Sequence, residues 1–275
     1  MVRAVAPRAQ SPAGGGQPGL RPRAAAAAGA RVPRPVLRPP VPTARIICPP
    51  GLEYLAVIDQ IIIQQNVELV EALLGCETNN SYVASNSMGQ FIYNIQEESS
   101  CLARCCCGRV RCFEMDVLDY RGVAVMHFVR PLRCNDFCCF CCLQEMEVQA
   151  PPGTPIAHVY QNCSFCYPYF SIYDSRKQNV LNIAGPFCTT SMPCKCDVEF
   201  EVKSTNGVVV GKITKQFSGA LKELFTDADV FGVTFPLDMD VHLKAALIAA
   251  TMLIDFMFFE EAYGQSDDKQ PGMLG

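Results

Sequence analysis

The chain has no tryptophan and only three histidines, His127, His158 and His242, among its 275 residues. Those histidines fall in strand-like or helix-start contexts with no nucleophile beside them. No glycine-rich phosphate loop is legible either, so the pattern expects no enzyme. Residues 1–45 lack Asp, Glu and Lys altogether but hold eight Arg. Taking those eight from 23 basic residues leaves 15 against 27 acidic ones, so a basic arm precedes a body of net charge −12. The total of −4 does not read as a nucleic-acid binder. The arm itself either contacts anionic lipid or nucleic acid, or is a solvated tail. After Arg3 and Arg8 no apolar Leu- or Val-rich core follows, so no secretory signal is expected. A reducing setting then disfavours reading the 17 Cys as a disulfide framework.

Residues 1–47 are Pro-, Arg-, Gly- and Ala-rich, with five alanines at Ala24–Ala28. Such a composition buries too little apolar surface to offset the entropy of ordering, and a disordered arm is expected. Within it, Arg38-Pro39-Pro40-Val41-Pro42 contains PxxP, the kind of polyproline face an SH3-type domain takes, or else a plain linker.

Long apolar runs are also scarce: the only one is Val241–Phe259. As a helix it spans about 28 Å, close to a bilayer's hydrocarbon core. Ala245, Leu247, Ile248, Leu253, Ile254, Phe256 and Phe258 leave no polar stripe, and from Ala245 on only Thr251 and Asp255 are polar. A helix apolar all round either crosses a membrane or is enclosed by protein on every side. Asp255 costs free energy in lipid, while His242 and Lys244 sit where they could snorkel to an interface. Periodicity leaves both readings open.

What is abundant is alternation with period two. Gln90–Gln96, Phe113–Val117, Val123–Val129, Leu143–Val148 and Asp197–Lys203 all read as strands. Asn206-Gly207 is a hairpin signal, and Val208–Thr214 returns as its partner. On the order of twelve short strands are expected, which makes the chain mainly β, a closed barrel or a sandwich. Glu53–Asp59 and Ser218–Phe225 read as short helices. A large barrel could enclose the apolar helix, with Asp255 near its mouth, hydrated or hydrogen-bonded.

The cysteines cluster. Cys101, Cys105, Cys106 and Cys107 form one group, and Cys134, Cys138, Cys139, Cys141 and Cys142 another. Cys163/Cys166 and Cys194/Cys196 form CxxC and CxC pairs, which could together hold zinc or be small core residues. Adjacent Cys-Cys pairs fit one metal poorly and fit thioester acylation better, so Cys138, Cys139, Cys141 and Cys142 are candidate lipid anchors. Asp227–Asp238 is an acidic twelve-residue stretch with carboxylates at positions 1, 3 and 12 and Gly232 at position 6. It reads either as a weak calcium loop or as a turn leading into a strand over Val230–Leu237. Lys212 and Lys215 read as a solvated strand face.

Several blocks, in order, resemble the phospholipid scramblase family. They are PPGLEYL at Pro49–Leu55, GCETNNSY at Gly75–Tyr82, RPLRC at Arg130–Cys134, CCFCCLQEMEVQAPPG at Cys138–Gly153, FTDADVFGVTFPLD at Phe225–Asp238 and LIDFMFFE at Leu253–Glu260. The resemblance covers about residues 48–262, which would form one domain ahead of a tail at 263–275. It implies a tubby-like twelve-stranded barrel around the C-terminal helix. It also implies calcium-dependent, ATP-independent movement of phospholipids in both directions between leaflets, at the cytoplasmic face of the plasma membrane, with a nuclear pool. By resemblance, Cys138, Cys139, Cys141 and Cys142 are acylated, although Phe137 and Phe140 replace the usual Cys and Pro. The calcium segment maps onto Asp227, Asp229, Phe231, Val233, Phe235 and Asp238. A nuclear-import segment maps onto Gly211–Gly219, where Gln216 and Phe217 depart from the family pattern. A monomer with one span offers no groove for a lipid headgroup, so scrambling would need a homo-oligomer or a calcium-driven release of the helix from the barrel. The alternative is a lipid-tethered adaptor without translocation activity.

Overall fold

The computed structural model describes residues 48–66, 79–100, 107, 111–133, 143–164, 166–187, 197–216 and 229–260. A single turn of 3₁₀ helix, Glu53–Val57, comes first. Twelve strands follow: β1 (Gln60–Asn66), β2 (Ser81–Ser85), β3 (Phe91–Glu98), β4 (Phe113–Leu118), β5 (Ala124–Arg130), β6 (Glu145–Ala150), β7 (Thr154–Gln161), β8 (Tyr169–Asp174), β9 (Asn179–Ala184), β10 (Val198–Ser204), β11 (Val209–Gln216) and β12 (Val230–Thr234). The helix α1 (Val241–Ile254) and a π-helical turn, Asp255–Phe259, close the order.

Every strand pairs antiparallel with its sequence neighbours, and β12 pairs back onto β1, with Ile62 opposite Gly232. The result is a closed up-and-down barrel without edge strands. Alternation supplies its two faces. On β10, Val198, Phe200 and Val202 are buried while Glu199 and Glu201 face solvent. The Asn206-Gly207 hairpin forms as expected: Gly207 takes φ +80°, and Ser204 N donates to Val208 O at 2.8 Å.

Twelve strands enclose more space than their own side chains fill. The helix occupies that space. Every residue from Lys244 to Ile254 is buried, and α1 packs against β6, β7, β8 and β12. Ala245, Leu247, Ile248, Leu253, Ile254 and Phe256 are fully buried, whereas Phe258 is only partly so. The helix is long and apolar enough to cross a membrane, yet most of its surface is covered by the barrel. The expectation of a mainly β, twelve-stranded closed barrel around the helix is therefore met.

Glycine is required where β11 meets β12. A Cβ on Gly211 would lie 2.2 Å from the carbonyl oxygen of Thr234. The β10–β11 register also shifts here, with Val202 opposite Gly211 and Lys203 opposite Val209. Gly211→Ala is expected to cost about 1–3 kcal/mol of stability, as overpacking does elsewhere. Urea denaturation of variant and parent checks this, and an unchanged midpoint would mean the two strands separate freely at this point.

Candidate functional site

The two mouths of the barrel differ. At one, the hairpin connections (86–90, 119–123, 151–153, 175–178 and 205–208) have three to five residues each. At the other, the connections (67–80, 99–112, 131–144, 162–168, 185–197 and 217–229) have seven to fourteen. Sixteen of the 17 Cys fall in these long connections, Cys48 being the exception. Along the sequence they look like separate clusters. Strand parity brings the strand ends that flank them to a single mouth.

The helix is pinned at both mouths. At the short-turn mouth, Asp240 caps it by accepting from His242 N at 2.8 Å. Lys244 lies one turn inside with no exposure. Its Nζ donates to the carbonyls of Leu55, Ile58 and Leu237, each at 2.8 Å, and sits 4.9 Å from the Phe235 ring centroid. Burial draws the Lys244 ammonium below its ordinary pKa. Lys244 therefore does not snorkel towards an interface. It ties the helix to the 3₁₀ turn and to the β12–α1 connection.

At the long-loop mouth the α-helix widens into the π turn, closed by Glu260 N donating to Asp255 O at 3.0 Å. Such turns concentrate at functional positions. Asp255 is 3% exposed. Its Oδ2 accepts from the Tyr82 hydroxyl at 2.7 Å, and its Oδ1 has no hydrogen-bond partner among the described residues. Burial, with the charge of Asp229 nearby, pushes the carboxyl up to about 7 against the pull of Lys215 and the Tyr82 hydrogen bond. Tyr82 is raised in turn, by burial first and then by Asp255.

One turn on, Glu260 meets Arg111, a guanidinium only 1% exposed. Arg111 Nη1 and Nη2 donate to Glu260 at 2.9 and 2.6 Å. Its Nε and Nη2 donate to Glu97 on β3 at 2.8 and 3.0 Å. Asn80 bridges the two carboxylates, its backbone N to Glu97 at 3.1 Å and its Nδ2 to Glu260 at 3.1 Å. Arg111 also lies over the Phe256 ring, which packs on Phe113 with centroids 4.2 Å apart. Burial alone would lower Arg111, but its hydrogen bonds to both carboxylates more than offset it and raise it. Burial raises Glu260 despite Arg111. The arrangement is a buried, bidentate, two-carboxylate fork joining the helix terminus to β3 and to the entrance of β4.

The predicted site residues distribute as follows. Of the calcium segment, Asp227 lies outside the described residues. Asp229 accepts from Lys215 Nζ at 2.6 Å. Phe231 and Val233 are on β12, fully buried, and Phe235 is nearly so. Asp238 is exposed and follows the strand at the opposite mouth. The five residues of β12 alone separate Asp229 from Asp238 by about 16 Å. Among the described residues, Asp229 leads directly into β12 and Asp238 follows it in a turn. The residues at hand do not converge on one cation in this conformation, because ladder pairing extends the backbone and turns Phe231 and Val233 inward.

Lys215 departs from the expected solvated strand face: it is buried and ion-paired, 4.2 Å from the Phe259 ring centroid, while Lys212 does face solvent and pairs with Glu199. Cys163 and Cys166 are exposed thiols, contrary to the core reading. Cys138, Cys139, Cys141, Cys142, Cys194 and Cys196 lie outside the described residues, as do Arg38–Pro42, the predicted helix Ser218–Phe225 and the end of the import segment. Sequence reasoning missed Arg111, Glu97, Tyr82 and Glu260 as a set. The available signals were two ionisable residues at the end of an otherwise apolar helix, Asp255 and Glu260, each of which needs a buried partner.

The scramblase family profile matches residues 40–261. Over 227 residues the chain is 51% identical to phospholipid scramblase 2 of Bos taurus, covering 82% of this chain and 77% of that protein. It is likewise 51% identical to phospholipid scramblase 1 of Homo sapiens, covering 82% and 71% of the two chains. Phospholipid scramblase family member 5 of Homo sapiens is 48% identical over 217 residues, covering 78% and 79%.

Proposed function

Because the chain belongs to the scramblase family, we propose that it moves phospholipids in both directions between membrane leaflets, without ATP and under the control of calcium. It acts at the cytoplasmic face of the plasma membrane, held there by acyl chains on the Cys138–Cys142 cluster. The observation that carries this reading is the extent of the family match, which takes in the whole described barrel and its helix. Two structural features support it. The strand ends that flank the connections holding nearly all the cysteines lie at one mouth, which is compatible with acyl anchoring from a single side. The helix has the length and composition of a span.

Calcium enters as a proposed regulator only. The five mapped residues that the structure describes, Asp229 to Asp238, do not converge on one site in this conformation, so no step is derived through the ion. A second reading is favoured by the enclosure of the helix: a barrel whose span-length helix is sheathed can serve as a lipid-tethered adaptor with no translocation activity.

Liposomes reconstituted with the full chain and a fluorescent phospholipid separate the two. A membrane-impermeant quencher bleaches only the outer leaflet, so scrambling is expected to drive the protected fraction towards zero, faster with millimolar calcium. Replacing both Asp227 and Asp229 by Ala is expected to remove the calcium response. Protection equal to that of empty liposomes, with the protein folded and bound, would favour the adaptor.

A further inference from the structure

The enclosed helix has two kinds of anchor. At its N-terminal end Lys244 is satisfied by neutral carbonyls from the 3₁₀ turn and the β12–α1 connection, segments contiguous with the helix or packed at the same mouth. At its C-terminal end, among the described residues, the side-chain hydrogen bonds of Asp255 and Glu260 run to parts of the chain distant in sequence: Asp255 to Tyr82 on β2, and Glu260 to Arg111 before β4 and to Asn80 before β2. Between these ends only Thr251 is polar, and it bonds within the helix, Oγ1 to Leu247 O at 2.8 Å. The apolar middle gains much the same free energy from a protein lumen as from lipid. The charged termini therefore decide between the two environments, because only the barrel offers them partners.

We propose that the fork of Glu97 and Glu260 on Arg111, together with the Tyr82–Asp255 hydrogen bond, is a latch that keeps the span-length helix inside the barrel and that opening it delivers the helix to the bilayer. This deepens the reading of the chain as a lipid translocator by naming its regulation: the enclosed helix is the resting form. The latch has the features of a reversible closure. Glu260 is the most accessible member, with 13% of its side chain exposed against none for Glu97. Arg111 keeps both hydrogen bonds to Glu97 when Glu260 departs, so the buried guanidinium retains a carboxylate partner on the barrel side. The ring of Phe256 shares the guanidinium face and moves with the helix.

The absence of native tryptophan supplies a clean reporter. Phe258→Trp places one indole at the latch end of the helix, at a half-buried position beside Phe170 and Phe200. The full chain carrying this substitution is bound to phosphatidylcholine–phosphatidylserine vesicles with brominated acyl chains, which quench indole only at bilayer depth. Adding Glu260→Gln is expected to raise the quenched population on the order of tenfold, the range for losing a charge-assisted hydrogen bond. Hydrogen exchange in β6–β8 should stay as slow as in the parent. Equal quenching in the two proteins, with the barrel intact, overturns the proposal. If Glu260→Gln unfolds the barrel, Asn80→Ala carries the test, since it removes one hydrogen bond from Glu260 and spares the guanidinium. A rise in quenching without loss of barrel protection supports the latch, and no rise overturns it. The readout is independent of lipid flux: a latch that opens in a protein that scrambles no lipid would sink the translocator reading and leave the latch standing.

Discussion

Arg111→Ala is expected to lower the unfolding free energy by about 3–5 kcal/mol, the range for removing one partner of a buried ion pair. The reason lies in what remains. Glu97 has a fully buried side chain and Glu260 a largely buried one. Without the guanidinium, two like charges face each other across an apolar rim made by Phe113 and Phe256. Arg111→Lys should lose less, since the charge is retained, but an ammonium cannot donate to both carboxylates with the geometry of the planar fork. Chemical denaturation of the three proteins at neutral pH checks the order. A loss below about 1 kcal/mol for the alanine variant is what exposed pairs give, and it would show that water already screens this cluster.

The second large effect concerns pH. Folded Asp255 holds its proton up to about 7, whereas an unfolded chain releases it near 4. Between those values the folded state binds more protons than the unfolded one, so stability falls as pH rises. The favourable contribution is complete below the unfolded value and is lost as pH passes the folded one. If the full gap is realised, it corresponds to about 4 kcal/mol. Glu260, also raised by burial, adds in the same direction. Asp255→Asn cannot ionise and still accepts from the Tyr82 hydroxyl, so it is expected to flatten the stability profile between pH 4 and pH 7 and to exceed the parent in stability at pH 8. Denaturation midpoints across that range provide the check, and parallel profiles for variant and parent would refute the assignment. The same group bears on the latch: among the described residues the Tyr82 hydroxyl is the hydrogen-bond partner of the Asp255 carboxyl, and Oδ1 has none.

Local patterns carried the sequence reading a long way. Strand alternation is a two-residue property, so β3, β4, β5, β6 and β10 were legible with boundaries close to those observed. The Asn206-Gly207 turn was equally local, because only a few residues accept its positive φ. The acidic stretch was harder. Asp227, Asp229 and Asp238 suit a loop, Phe231 and Val233 suit a strand, and chemistry alone left the two balanced. Pairing of β12 with both β1 and β11 decided in favour of the strand. Lys215 misled for a related reason. Its neighbours gave no sign that β11 turns it inward, where Asp229 and Phe259 receive it.

The contrast is sharpest at the helix. Its length, its lack of a polar stripe and the charged residues at its two ends were all visible in Val241–Glu260, because hydropathy and spacing are properties of the segment itself. Whether lipid or protein surrounds it was not, since an apolar surface is stabilised by either. That choice rests on partners far away in sequence: Leu55 for Lys244, Tyr82 for Asp255, and Arg111 for Glu260. A buried charge is tolerable only where a partner is already held in place, and closure of the twelve-stranded barrel is what holds these partners at its two mouths.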